Sequence, residues 1–417
     1  MITMFARLSR PVAWAYCLKA IRSALLLAAL TGPGIALAAE VTVVMSGLDS
    51  PRGLAFGPDG ALYVAEAGRG GFGLPEEERF CFTFQSAAVC YGPTGAISRL
   101  WHGKQERIAT GLPSFALANG NRGIGPHDIA MLGVGSAHVT IGLEADPALR
   151  DRLAAEHPGF PGVAGIGHLV HVAASGEWRF VVDIAAYEAG NNPDGHLNDD
   201  GSPFFDSNPY GLLAVPGGHV ITDAGGNSLL RVDANGDTSL LAVFHSRGST
   251  PPRPSFAPLP FDQFTDAVPT VVVVGPDGAY YVGELTGVPF TNTRANVYRV
   301  VPGDAPRLFL IEDACLTGFK SIIDMAFDGE GNLYVLQHAT GQVQNLGPGV
   351  LIRVTPDKTQ PDICAQYQAG TRTTVLSGLA RPTSVVAGPD GALYVSHRGT
   401  SRGDAPDGGG EVLRVVP

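Results

Sequence analysis

Residues 51–64 read P-R-G-L-A-F-G-P-D-G-A-L-Y-V, and two short apolar runs stand out in them, Leu54-Ala55-Phe56 and Ala61-Leu62-Tyr63-Val64. Between them lies Gly57-Pro58-Asp59-Gly60. Proline presets φ for a turn, aspartate tolerates the bridge region and glycine supplies positive φ, so the stretch is a β-hairpin. Nearly the same string returns at residues 382–395 around Gly388-Pro389-Asp390-Gly391. A hairpin that recurs is a building unit, and counting its copies sets the architecture.

Six copies align. The second begins Pro126-His127-Asp128-Ile129, the third Pro209-Tyr210-Gly211-Leu212, and the fourth occupies residues 269–282 around Gly275-Pro276-Asp277-Gly278. The fifth spans residues 322–335 around Asp328-Gly329-Glu330-Gly331, and the sixth is the copy at Pro382. Each is followed by a third apolar run with an internal basic residue: Arg99, His171, Arg231, Arg299, Arg353 and Arg414. A fourth run leads toward the next copy at residues 106–110, 178–184, 239–244, 307–311 and 373–376. Four strands in roughly sixty residues describe the blade of a β-propeller, so the fold class is all-β with six four-stranded blades. The chain stops after the third run of copy six, while residues 41–47 (V-T-V-V-M-S-G) resemble 373–378 (T-T-V-L-S-G). The N-terminal strand is therefore expected to complete the last blade, which removes an exposed sheet edge.

Ahead of the repeats, Arg7, Arg10, Lys19 and Arg22 precede an apolar stretch and then Ala36-Leu37-Ala38. This order predicts a secretory signal over residues 1–38 and a single propeller domain over 39–417, secreted or periplasmic. The apolar segment is broken by Gly32-Pro33-Gly34 and is short for a membrane span. Loss of those four cations and no acid takes the formal charge from -11 to -15, which argues against a nucleic-acid partner. A monomer is expected. Beyond Cys17, the chain carries Cys81, Cys90, Cys315 and Cys364 without C-x-x-C spacing. In an exported chain these imply two disulfides, and Cys81 with Cys90 plus Cys315 with Cys364 is the most local of the three pairings.

Insertions interrupt the repeats at residues 68–93, 144–160, 185–207 and 246–267, and loops of that length on a rigid ring shape a binding face. The second predicts a short helix over 148–157 capped by Asp146. The third is dense in oxygen donors, with Asn191, Asn192, Asp194, Asn198, Asp199, Asp200 and Asp206. It lacks EF-hand spacing and reads as a solvated loop that can form a rim lid.

Three residues beyond the aligned tyrosine stand Glu66, Glu284, Gln337 and His397, with Asp223 one place earlier in copy three. Near the start of the copies lie His127, Asp128, Asn208 and Asp324. Converging on a channel, such groups can hold a hard divalent cation such as calcium or act as an acid/base set. The simpler account is a wet channel in which strand-end acids satisfy backbone amides. Tyr63, Tyr281, Tyr334 and Tyr394 are expected in the core between blades. Gly68-Arg69-Gly70-Gly71-Phe72-Gly73 fits G-x-G-x-x-G, but Pro75 follows where a helix should begin. No G-x-S-x-G, H-E-x-x-H or Walker loop occurs.

Taken as a set, P-x-G-L-A-F-G-P-D-G-A-L-Y-V-A-E, G-P-H-D-I-A, D-S-N-P-Y-G-L-L-A and T-D-A-G-G-N-S-L-L-R-V resemble the ScyD/ScyE family of exported propellers. That resemblance implies export and a propeller, and leaves activity open. The chain is more distantly similar to NHL-repeat and gluconolactonase-like six-bladed propellers, some of which hold a divalent metal in the channel and hydrolyse lactones. Two readings follow: a binding or scaffold protein presenting a small-molecule or protein site at one rim, or a metal-dependent lactone or ester hydrolase. In the second, Glu66, Asn208, Asp223 and Glu284 are ligands and His127 or Asp128 is the general base.

Overall fold

The computed structural model describes residues 39–198, 200–245, 266–287, 294–341, 346–406 and 409–417. The expected signal segment, Cys17, Asp199 and most of the 246–267 insertion lie outside these residues. Six antiparallel blades form a ring. Blade 1 is built on Pro51–Phe56, Leu62–Glu66, Ala87–Trp101 and Lys104–Leu117, and blade 2 on Pro126–Gly133, Ser136–Ile141, His168–Val172 and Trp178–Asp183. Blade 3 uses Pro209–Val215, Gly218–Asp223, Ser228–Asp233 and Thr238–Phe244, and blade 4 Pro269–Val274, Tyr280–Glu284, Ala295–Val300 and Ala314–Phe319. Blade 5 comprises Ile322–Phe327, Leu333–Gln337, Gly349–Thr355 and Thr371–Leu379. Blade 6 takes Ser384–Ala387, Leu393–His397 and Gly410–Val416 and is completed by Glu40–Leu48, with Val41 opposite Val415 and Val43 opposite Leu413. The ring closes with the N-terminal strand, as its likeness to residues 373–378 implies.

The repeated turn has a side-chain lock. Asp59 accepts from the Ala61 N–H and from the Tyr63 hydroxyl at 3.1 Å, while Gly60 holds φ at 75°. Tyr63 stands directly opposite Arg99, as Tyr281 does Arg299, Tyr334 does Arg353 and Tyr394 does Arg414. Arg299 and Arg414 donate to the turn aspartates Asp277 and Asp390 at 2.6 and 2.8 Å. Turn Asp, second-strand Tyr and third-strand Arg are thus one unit. Tyr63 and Tyr281 are fully buried in the core, as expected of bulk between blades.

Both disulfides form in the local pairing, Cys81–Cys90 and Cys315–Cys364. The first ties the strand Phe80–Phe84 to the start of the long third strand of blade 1, where the two cysteines face each other in register. Pro147–Glu156 is the expected helix, and the Asp146 carboxylate accepts from the Ala148 N–H at 2.8 Å. One expected strand is corrected. Of residues 307–311 only Arg307–Phe309 is extended, and it pairs in parallel with Thr238–Phe244 of blade 3. The Arg307 guanidinium lies over the Phe309 ring and pairs with Asp313, and the Asp313 carboxylate accepts the Leu310 N–H. That turn delays the fourth strand of blade 4 to Ala314–Phe319.

Candidate functional site

Each first strand packs against the first strand of the next blade, and the sixth against the first, so these strands line the axis. The second strand of a blade returns to end opposite the start of the first: Glu66 faces Pro51, Asp223 faces Pro209, Glu284 faces Pro269 and Gln337 faces Ile322. These are the positions expected to converge as ligands, and the structure turns them to their own blades instead. Both Glu66 oxygens accept from Arg107, at 2.6 and 3.0 Å, and from the Asp49 N–H and the Ser98 hydroxyl. Asp223 accepts from the N–H groups of Asn208, Gly225 and Gly226 and from the Ser207 hydroxyl. Glu284 accepts from the Asn296 N–H, and Gln337 from the Lys320 N–H. His397 meets Glu411 at 3.2 Å, and the Asn208 side-chain oxygen accepts from the Leu143 N–H.

The physical reason is the entry turn. Ser50 and Ser321 take positive φ just before the first strand, and the preceding N–H needs an acceptor. Glu66 and Gln337 supply it. Glu66 and Gln337 are thereby engaged at their own entry turns, as Asp223 is by Asn208 and the Gly225-Gly226 turn. Among the described residues, no three His, Cys, Asp or Glu side chains already stand as a metal-holding group.

Asp128 and Asp324 sit on the axis as links between blades. Asp128 accepts from the Ile129 N–H and, across the blade boundary, from the Leu212 N–H at 2.7 Å. Asp324 accepts from the Ser384 hydroxyl and the Val385 N–H of blade 6. Burial pushes both carboxyls up, Asp324 to about 6, with Asp324 adding to the effect on Asp128. The approach of blades 1 and 2 needs glycine at position 53, where a Cβ would strike the Asp128 side chain and backbone.

His127 is 1% exposed, and its Nδ1 lies 3.3 Å from the Pro209 carbonyl. That contact assigns the proton to Nδ1 and leaves Nε2 with a free lone pair; Nε2 has no partner among the described residues. Tyr210 packs beside the ring at 4.6 Å. Burial and then the Arg52 charge hold the imidazole well below its ordinary pKa, so it is neutral. Asp128 makes no hydrogen bond to it, so the two adjacent residues do not form a relay.

The same rim carries a group of acids that alignment of the repeats does not show. Residues 184–207 begin with the helix Ile184–Asn191, capped by Asp183, whose Glu188 is 2% exposed. Among the described residues, Glu188 Oε2 is buried with no hydrogen-bond partner, and so is Asp206 Oδ1. Burial first, then the charges of Asp194, Asp223 and Asp206, push the Glu188 carboxyl up to about 9. Burial, with Asp223, Glu144, Asp266 and Asp194, pushes Asp206 up to about 7. Asp194 accepts from the Asn227 amide at 2.9 Å and faces His196 at 3.3 Å, and His196 reaches Asp266 at 3.4 Å. Glu188 closes against the backbone at Gly226, where any Cβ would collide with its Oε2. A bridge between Ala145 and Ser207 joins the second and third insertions. Glu66 has Arg107 to balance it; here carboxylates face carboxylates.

No protein-family model matches the chain, and no curated protein sequence does. Solved structures similar to it include a glucose dehydrogenase-like putative oxidoreductase from Thermus thermophilus, 19% identical over 91% of this chain and 100% of that one, with a TM-score of 0.37. Virginiamycin B lyase from Staphylococcus aureus is 12% identical over 91% of this chain and 99% of its own, at a TM-score of 0.43. The PQQ-bound aldose sugar dehydrogenase from Streptomyces coelicolor is 14% identical over 90% and 98%, at 0.46.

Proposed function

We propose that the chain is an exported, monomeric ligand-binding propeller of ScyD/ScyE type whose site is the acidic rim pocket, and that a hard divalent cation of calcium type anchors the ligand there. The reading rests on Glu188, a buried carboxyl with an unpartnered oxygen that faces the charges of Asp194, Asp206 and Asp223. Burying several carboxylates together is costly unless they are protonated or a cation joins them. The donors are all oxygens, which suits calcium and not a thiophilic metal. Glu188, Asp194 and Asp206 would hold the ion; Asp223, held by four hydrogen bonds, positions Asn208 and the Gly225-Gly226 turn behind them. A bound cation would supply open coordination positions for an oxygen-rich small molecule. Two disulfides suit an exported chain, and among the described residues no helix is long and apolar enough to cross a membrane.

The test is a thermal-shift titration of chelator-stripped mature protein with calcium chloride. Wild type should gain stability in a saturable way, and Glu188→Gln should lose that response while remaining folded. An unresponsive wild type, or an equal response in the variant, refutes the assignment. The free Nε2 of His127 favours one second reading, hydrolysis of a lactone or ester, in which this nitrogen takes the proton from the attacking water. Turnover of a lactone and ester panel that disappears in His127→Ala supports it, and an inactive wild type removes it.

A further inference from the structure

Just inside the entry turn of each first strand stands Arg52, His127, Tyr210, Thr270, Ile323 or Thr383, one from each blade. They lie at one level around the axis. The His127 ring and the Thr270 and Thr383 hydroxyls each meet the entry carbonyl of the next blade, at Pro209, Ile322 and Pro51. All six are buried, and Arg52 is the charged member of the ring. It is 7% exposed, and one terminal nitrogen donates to the Gly123 carbonyl at 2.8 Å. Among the described residues its Nε–H has no partner and no carboxylate pairs with it. The axial acids Asp128 and Asp324 spend their oxygens on backbone N–H groups and on Ser384.

Two orphaned atoms therefore belong to equivalent positions of adjacent blades: a donor, Arg52 Nε–H, and an acceptor, the lone pair on His127 Nε2. Each costs free energy while it is buried without a partner, and an unpaired charge costs more. Outside the ring the wall opens and stays basic. Arg381, one residue before Pro382, is partly open to solvent, and Arg122 is exposed. Their backbones join one turn, in which the Arg122 N–H donates to the Thr400 carbonyl and the Gly399 N–H to that of Arg381. Burial, then the charges of Arg52, Arg381 and Arg122, hold His338 down to about 4. Three cations thus bear on one imidazole, itself 2.9 Å from the Pro382 carbonyl.

We infer that this end of the channel binds a small 2-hydroxy acid as its anion, with the carboxylate on Arg52 and the hydroxyl donating to His127 Nε2. A guanidinium carries five N–H donors, and with one spent on Gly123 its planar fork still suits a carboxylate. A halide or a plain carboxylate serves Arg52 alone. A hydroxyl on the carbon beside the carboxylate brings the donor that Nε2 lacks within the same molecule. Arg381 and Arg122 draw the anion to the mouth through their field. No metal takes part, so the site is independent of the calcium pocket.

Metal-free protein of residues 39–417, in chloride-free buffer, would be titrated calorimetrically with lactate, acetate, lactamide and inorganic phosphate. Lactate should saturate at one equivalent, acetate should bind more weakly, and lactamide should not bind. Arg52→Gln should weaken lactate by at least about tenfold, the scale of a hydrogen bond to a charged group. His127→Phe should abolish the preference for lactate over acetate while acetate still binds. That second variant reads a preference, so the test holds if the Arg52 variant fails to fold. Absence of saturable lactate binding to wild type, tighter binding of phosphate than of lactate, or a folded Arg52→Gln that binds lactate as wild type does would overturn the site. None of these results would alter the calcium response of the rim pocket.

Discussion

Replacing Arg107 by methionine separates the structural role of Glu66 from a functional one. The Glu66 side chain is fully buried, and Arg107 bonds both of its oxygens as well as Asp49 at 2.9 Å. Removing one partner of a buried ion pair generally costs about 3–5 kcal/mol. Two features reduce that figure here. The Arg107 side chain is 39% exposed, so solvent screens part of the pair, and the Ser98 hydroxyl and Asp49 N–H still serve the carboxylate after the substitution. A loss of about 2 kcal/mol is the expected result. In urea unfolding it should lower the midpoint at unchanged slope. A cycle with Glu66→Gln should return a coupling of about 1–2 kcal/mol, because the two groups share one network. The calcium response should persist in every folded member of the cycle. A midpoint unchanged in Arg107→Met, or a Glu66→Gln variant that keeps its stability and loses the calcium response, would show that the strand-end acids face the site after all.

Two further outcomes follow from particular residues. The Cys315–Cys364 bridge spans 49 residues and Cys81–Cys90 spans 9, so chain entropy assigns them about 4 and about 2.6 kcal/mol; paired Cys→Ser variants in urea should rank in that order, and the reverse order would contradict the entropic account. Asp324 has a folded pKa of about 6, above its ordinary 3.8, so the folded state holds a proton that the unfolded chain has released. Its contribution is therefore fully present below about pH 4 and is lost as pH rises to about 6; Asp324→Asn should flatten stability against pH across that window, and an unaltered slope would place the titration elsewhere.

Much of the fold is legible because the repeated unit writes its contacts into neighbouring residues. The turn aspartate, the tyrosine four residues on and the arginine of the third run belong to one group, and all three recur together in copies one, four and six. The place of residues 307–311 is not legible, since an apolar run looks the same whichever sheet edge it joins; the Arg307 contacts with Phe309 and Asp313 decide that. Glu66, Glu284 and Gln337 do align as the sequence suggests. Alignment alone says nothing of whether a strand-end residue faces the channel or its own entry turn, and the positive φ of Ser50 and Ser321 settles the question for Glu66 and Gln337. Glu188 carries no signal in the repeats because it belongs to a helix inside an insertion. Asp194 and Asp206 are visible as oxygen donors, but only the closure of that insertion over Gly226 brings them to Glu188.

The most direct measurement is a crystal structure of residues 39–417 soaked in calcium. The account predicts a density peak about 2.3–2.6 Å from carboxylate oxygens of Glu188 and Asp206, with Asp194 drawn toward it and Glu66 still bound to Arg107. A pocket without such a peak, or an ion held instead by Glu66 and Glu284 on the axis, would contradict it.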